Sequence, residues 1–212
     1  MPQHSEWLQT VDTFPNATFV GALRRQLGDT GSILVWSSHE ATVLHTIRRQ
    51  FEERGEGDSE IAGWIGRVLE NGRLIDLHAL ALKHYFHPRM GGSTSLKAVV
   101  DAVWQANPAI RARLPQYDTD RENEPVSPYK TLNPLIIEGR QISVAEGVGA
   151  IIAYYAMMDR LAANAILELN QWRDLLRQYC KLDTLAMVMV WWHWRQLTGQ
   201  VNQNHAQGNV NY

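Results

Sequence analysis

Apolar positions recur along this chain mainly with the period of a helix. In NATFVGALRRQLG (16–28), Phe19, Val20, Leu23 and Leu27 fall on one face, which predicts a short helix capped by Asn16 and stopped by Gly28. Ser32–Trp36 (SILVW) is a short apolar run after a glycine and predicts a buried strand. Helical spacing returns over His39–Phe51 through Val43, Leu44, Ile47 and Phe51, and a second short helix follows over 61–70 after the charged loop RGEGDSE (54–60). Arg73–Leu77 (RLIDL) predicts a second strand running into a helix over 77–86, and HPRMGGSTS (87–95) a loop. Ser95 is placed to cap a helix whose stripe is Leu96, Val99, Val100 and Val103, and which must stop before Pro108. One helix is expected over 144–163, and one long helix or two nearly continuous ones over 168–198. The order reads helix, strand, helix, strand, helices, which is an α/β chain with helices in the majority.

Residues 105–140 break the periodicity and hold five of the eight prolines, so they read as a long excursion within one domain spanning 1–198. The segment 199–212 is rich in Asn and Gln, lacks an apolar pattern and is expected to be a disordered tail. With 212 residues, 45% of them apolar and 20% charged, the composition is that of a soluble globular domain. The net charge of −2 excludes a globally basic nucleic-acid binder but leaves room for a local basic groove. A single cysteine, Cys180, excludes an internal disulfide framework and a four-thiolate zinc site, and is expected to be a small buried hydrophobe. No apolar run reaches the roughly 18 residues a membrane span needs, and MPQHSEWLQT has no signal-peptide pattern. The expected compartment is the cytoplasm.

The residues that could carry chemistry are few. Tyr179 and Asp183 are separated by one helical turn, and Asp183 falls in the middle of a stripe made by Trp172, Leu175, Leu176, Ala186, Val190 and Leu197. A carboxylate on a buried face needs a partner, a metal or a capping role, and a cap on a second helix starting at Thr184 is one reading of it. Glu40 follows the first strand and opens a helix, where it either complements the helix dipole or meets a cation at the carboxyl end of the sheet. Asp76 ends the second strand and is placed to cap the next helix. GGSTSLK (91–97) combines glycines, hydroxyls and Lys97 at a helix start, where a phosphate could sit. His84 and His87 have metal-compatible spacing without a nearby carboxylate to complete a site. Trp191, Trp192 and Trp194 point to different helix faces, so at least one is expected at the surface.

The order WSSHE (36–40), RLIDL (73–77), GGSTSLKAVV (91–100), YCKLDTLAMV (179–188) resembles the DnaQ-like, RNase-H-fold 3′–5′ exonucleases of the DEDD class, in the branch with a Tyr-x-x-x-Asp third motif. Within that superfamily it is most similar to a bacterial domain-of-unknown-function family (family 2779), some longer members of which carry a RecB-like nuclease region. The resemblance covers roughly residues 20–197 and implies an RNase-H-like fold, with the opening strands of the sheet missing. It implies Glu40, Tyr179 and Asp183 as catalytic residues, with Glu40 and Asp183 as ligands of Mg²⁺ or Mn²⁺. Ser93, Ser95 and Lys97 are then expected beside a nucleic-acid backbone, DNA or RNA. The first motif of the class, Asp-x-Glu, is found only as Asp58–Ser59–Glu60, after the second motif and in a loop. The expected function is therefore a metal-dependent nuclease domain that is inactive or impaired in this chain: either the chain is a truncated product, or the missing strands come from a RecB-like region or another chain, or the module has lost catalysis. The alternative is a non-catalytic nucleic-acid-binding or interaction module, with no membrane association.

Overall fold

A computed structural model describes residues 2–11, 13–57, 59–121, 124–132, 134–137, 140–142, 147–163 and 165–207. These residues form a mostly helical structure with a small two-stranded parallel sheet. They gather into two compact units, one made of 2–85 with 133–181 and the other of 86–132 with the chain from Leu182 onward. Each unit is built from two separate stretches of sequence.

The first unit opens with α1 (Asn16–Leu27), β1 (Ile33–Val35), α2 (His39–Glu53), α3 (Glu60–Glu70), β2 (Leu74–Asp76) and α4 (Leu77–His84). Residues of α1, α2 and α3 make its core: Val20, Leu44, Ile47, Phe51, Ala62, Trp64, Ile65 and Val68 are all buried. Asn16 does not cap α1. Pro15 stands at the cap position, and the Asn16 amide instead donates to Gln50 Oε1 on α2. Gly28 ends α1 with a φ of 57°, a left-handed conformation that glycine adopts without a Cβ penalty. Arg73 then gathers the carbonyls of Leu27, Gly28, Thr30 and Gly31 at 2.7–3.1 Å, tying the end of α1 to the entrance of β2.

Strands β1 and β2 pair in parallel, with Ile33 opposite Leu74, Leu34 opposite Ile75 and Val35 opposite Asp76. Parallel neighbours require a crossover, here supplied by α2 and α3. The register brings the two carboxyl ends level, so the segments after Val35 and around Asp76 are neighbours. An RNase-H sheet is not what the described residues form. The same unit also holds the β5 (Leu135–Ile137) and β6 (Arg140–Ile142) hairpin and α7 (Gly147–Ala162).

The second unit contains α5 (Leu96–Ala106), α6 (Pro108–Arg113) and the short antiparallel pair β3 (Asp120–Arg121) and β4 (Glu124–Pro125). Ser95 caps α5 by accepting from the Ala98 amide at 3.3 Å. The stretch 105–140 is thus more structured than its prolines suggest, because prolines start α6 and the single 3₁₀ turns at Pro115–Tyr117 and Pro128–Thr131.

Helix α8 (Ile166–Gln207) is unbroken. Its residues up to Lys181 belong to the first unit and those from Leu182 to the second. It continues past Gly199, where disorder is expected from composition, and residues 208–212 lie outside the described residues. Trp172, Leu175, Leu176, Tyr179, Ala186 and Val190 of the expected stripe are buried, whereas Leu197 is exposed. Cys180 is also exposed, contrary to the small-hydrophobe reading, because it lies outside that stripe. Trp191 is the exposed member of its aromatic run. No described helix is long and apolar enough to cross a membrane.

Candidate functional site

Two groups of the expected residues can be followed from their backbone upward, one in each unit. In the first unit they gather at the carboxyl ends of β1 and β2. Asp76 Oδ1 accepts from the amides of His78 at 2.8 Å and Ala79 at 3.2 Å, so it is the cap of α4. The same oxygen accepts from the Ser37 amide at 2.9 Å. Ser37 has a φ of 77°, the one positive value at a non-glycine residue among those described, and this bond holds the turn between β1 and α2 in that costly conformation. The Trp36 ring lies 5.8 Å from that of His78, centroid to centroid, across the same turn.

Glu40, in the first turn of α2, is half-buried beside this turn. Its Oε2 is buried and has no hydrogen-bond partner among the described residues. Burial pushes its carboxyl above the usual carboxylate range. Its own amide, His39 and the Trp36 amide pull it the other way, and nearby Asp76 adds to the rise. The sign of the consequence is definite. A carboxyl whose folded-state pKa is raised contributes most to stability below its unfolded pKa, and loses that contribution as pH rises through the folded value. Glu40→Gln is therefore expected to raise the unfolding midpoint at pH 7 and to leave it unchanged near pH 4. Urea unfolding at the two pH values checks this, and a variant destabilised at pH 7 would show that the carboxylate is satisfied.

In the second unit the group is built from α5, the 3₁₀ turn at Pro128–Thr131 and α8. Gly91 and Gly92 have φ values of 58° and 81° and turn the chain into α5. Ser93 Oγ accepts from the Ser95 amide at 3.3 Å, and both serines are exposed. The Lys97 ammonium stands 5.1 Å from the centre of the Tyr129 ring. The Tyr129 hydroxyl donates to Asp183 Oδ1 at 2.7 Å. Asp183 is half-buried between the buried Leu182 and Ala186. Because α8 runs unbroken through it, Asp183 is not a helix cap. Its partner is a phenol from 54 residues upstream. Thus Lys97 and Asp183, expected in one site, meet through Tyr129, which nothing in the sequence singles out.

Tyr179 is buried on the part of α8 that belongs to the first unit. Glu40 belongs to the first unit and Asp183 to the second. His87 uses Nδ1 to accept from the Arg89 amide at 3.2 Å, which accounts for it as a turn cap, and His84 is exposed. Of the late Asp-x-Glu, Asp58 lies outside the described residues and Ser59 caps α3 by accepting from the Ala62 amide. Among the described residues no group of three or more His, Cys, Asp or Glu side chains could hold a metal ion. The side chains described therefore do not fit the two-cation centre expected from the resemblance, which requires several carboxylates around ions about 4 Å apart.

Residues 1–95, which span α1 to α4 and the turn into α5, match the model of a family described as Domain of unknown function (DUF2779). No curated protein and no solved structure matches the chain.

Proposed function

We propose that this chain is a nucleic-acid-binding module related to metal-dependent nucleases that does not itself cut phosphodiester bonds. The motif order described above supports the nuclease relationship. The observation that carries the binding role is the segment Gly91–Lys97. Two left-handed glycines and two exposed serines lead into an 11-residue helix, whose first turn carries Lys97 against the Tyr129 ring. Backbone amides at a helix start, hydroxyls and one cation are the groups that hold a phosphodiester. The same reading treats Asp183 as the group that holds Tyr129, and through it Lys97, in position. No step is assigned to a metal, since the described carboxylates do not form a site for one.

The test is anisotropy of a labelled single-stranded oligonucleotide over a salt series, in EDTA and in millimolar Mn²⁺. The expected result is binding that weakens with salt, is the same in EDTA and Mn²⁺, and is unaccompanied by cleavage. Lys97→Ala should weaken binding across all sequences and reduce the salt slope by about one. Metal-dependent cleavage that Asp183→Ala abolishes would return the chain to the catalytic class, and absence of binding at low salt would remove the nucleic-acid reading altogether. A second measurement addresses Asp183 directly. Asp183→Ala should cost about 1–2 kcal/mol through loss of a hydrogen bond to a charged acceptor, and Mn²⁺ should leave both melting midpoints where they are. A Mn²⁺-induced rise seen in wild type and not in the variant would identify Asp183 as a metal ligand.

A further inference from the structure

The first unit contains a groove of about 440 Å³ between α1, α2 and the segment that carries Trp7. That volume lies in the range of small-molecule sites, roughly 300–1,000 Å³. Trp7, Phe19, Val43 and Ile47 supply its apolar lining, and the Trp7 and Phe19 rings stand 5.3 Å apart. Trp7 is 38% exposed and Val43 37%. Among the described residues no acidic side chain lines the groove, and His39 is its one titratable group.

The polar part of the lining is specific. Thr42 and Thr46 spend their hydroxyls on carbonyls one turn back, those of Ser38 and Thr42 at 2.9 and 3.0 Å. Asn16 and Gln50 differ. Their single mutual bond, from Asn16 Nδ2 to Gln50 Oε1, leaves Asn16 Oδ1 as an acceptor and Gln50 Nε2 as a donor. Neither atom has a further hydrogen bond among the described residues, and neither is among the fully buried unpartnered atoms. The pair thus keeps one acceptor and one donor beside an aromatic platform. An amide-like edge on a flat, uncharged ring satisfies both requirements at once. With no carboxylate, lysine or arginine among the described lining residues, a charged peptide or a bare phosphate is disfavoured as occupant.

We infer that this groove binds a nucleobase, stacked on Trp7 and read at its edge by Asn16 and Gln50. The inference rests on the nucleic-acid reading above and adds a second contact to it, in a different unit from Lys97. The test uses the full chain, the labelled oligonucleotide, the same oligonucleotide with abasic sites, and adenosine monophosphate against ribose 5-phosphate by calorimetry. Adenosine monophosphate should bind and ribose 5-phosphate should not. Trp7→Ala should weaken oligonucleotide binding about tenfold, as loss of one stacked base does, whereas Trp7→Tyr should restore most of it. Gln50→Glu, which replaces the donor by an acceptor, should lower affinity with the circular dichroism and melting curve unchanged. Trp7→Ala and Gln50→Glu should have no effect on the abasic strand.

The two readings fail separately. If the oligonucleotide binds, Lys97→Ala weakens it and Trp7→Ala does not, the groove inference is overturned and the binding module stands. If adenosine monophosphate binds at the groove and no oligonucleotide does, the module reading fails and the groove serves a free nucleotide. If neither probe binds and an apolar peptide does, both fail.

Discussion

Trp64→Ala is expected to destabilise the first unit by about 3–5 kcal/mol, the range found when a large aromatic is truncated in a closed core. The residue has no exposed surface and sits among Val20, Leu44, Ile47, Phe51, Ala62, Ile65 and Val68, with residues of three helices around it. For a chain of this length that is a fall in melting midpoint on the order of 6–20 °C. The indole also donates to the Gly28 carbonyl at 3.0 Å, at the point where α1 ends. Trp64→Phe separates the two contributions. It keeps most of the apolar volume and gives up the bond, and Gly28 retains the Arg73 Nη1 donor at 2.9 Å. The phenylalanine variant should therefore lose only about 1–2 kcal/mol. Equal losses in the two variants would mean that the hydrogen bond, and not the packing, fixes the end of α1.

The second large effect belongs to Asn107 in the other unit. Its Oδ1 accepts from the Ile110 amide at 3.2 Å, which caps α6 and fixes which way the amide faces. Nδ2 must then be the donor, and it serves both His193 Nδ1 at 3.1 Å and Gln196 Oε1 at 2.6 Å on α8. Asn107 and His193 are each about 8% exposed. Asn107→Ala removes a cap, about 1 kcal/mol, and the buried hydrogen bond to His193 Nδ1, about 1–3 kcal/mol more. The expected loss is about 2–4 kcal/mol in total by urea denaturation. A loss below 1 kcal/mol would mean that water replaces the side chain.

This arrangement also has a pH dependence of definite sign. Nδ1 can accept only while it is unprotonated. Burial pushes His193 below the ordinary histidine range, and the nearby His87 adds to the depression. The unfolded chain then takes up a proton first. Stability should be level above about pH 6.5, the ordinary histidine value, and decline as pH falls below it towards the lowered value. His193→Gln should flatten that decline. Asn107→Asp keeps the cap but faces the imidazole with an acceptor, so its penalty should shrink as His193 becomes protonated. A penalty independent of pH would remove His193 from the account.

What the sequence discloses here is local. Apolar spacing locates α1 to α5 and both parallel strands, and Ser95 and Asp76 cap α5 and α4 as their positions suggest. These features depend on residues within one or two turns of one another. The polar contacts that organise the candidate sites do not. Asp183 is paired with Tyr129 across 54 residues, Asn107 with His193 across 86, and Asn16 with Gln50 across 34. Asn16 illustrates the reason. Its type and position fit a cap, yet Pro15 takes that place and the amide is used by α2. Periodicity shows which face of an element is apolar. It carries no information about which distant side chain will meet a polar group there. The same holds for Glu40, whose place at the strand ends follows from the pattern and whose unpartnered oxygen does not.

The interleaving of the two units has a consequence for how the protein is made. Neither unit is a continuous stretch of chain, and both contain part of α8. During synthesis the ribosome releases 2–85 and then 86–132 well before the later segments grouped with them. The first unit lacks its last stretch until Lys181 has emerged, and the second until the remainder of α8 follows. For the first unit the usual order, in which an N-terminal domain folds while the rest is still being translated, stays open, because its core is drawn from α1, α2 and α3 alone. The second unit has no such start: α5 and α6 are made long before the remainder of α8 brings His193 and Gln196 to Asn107, and that interval is when a chaperone would have something to bind.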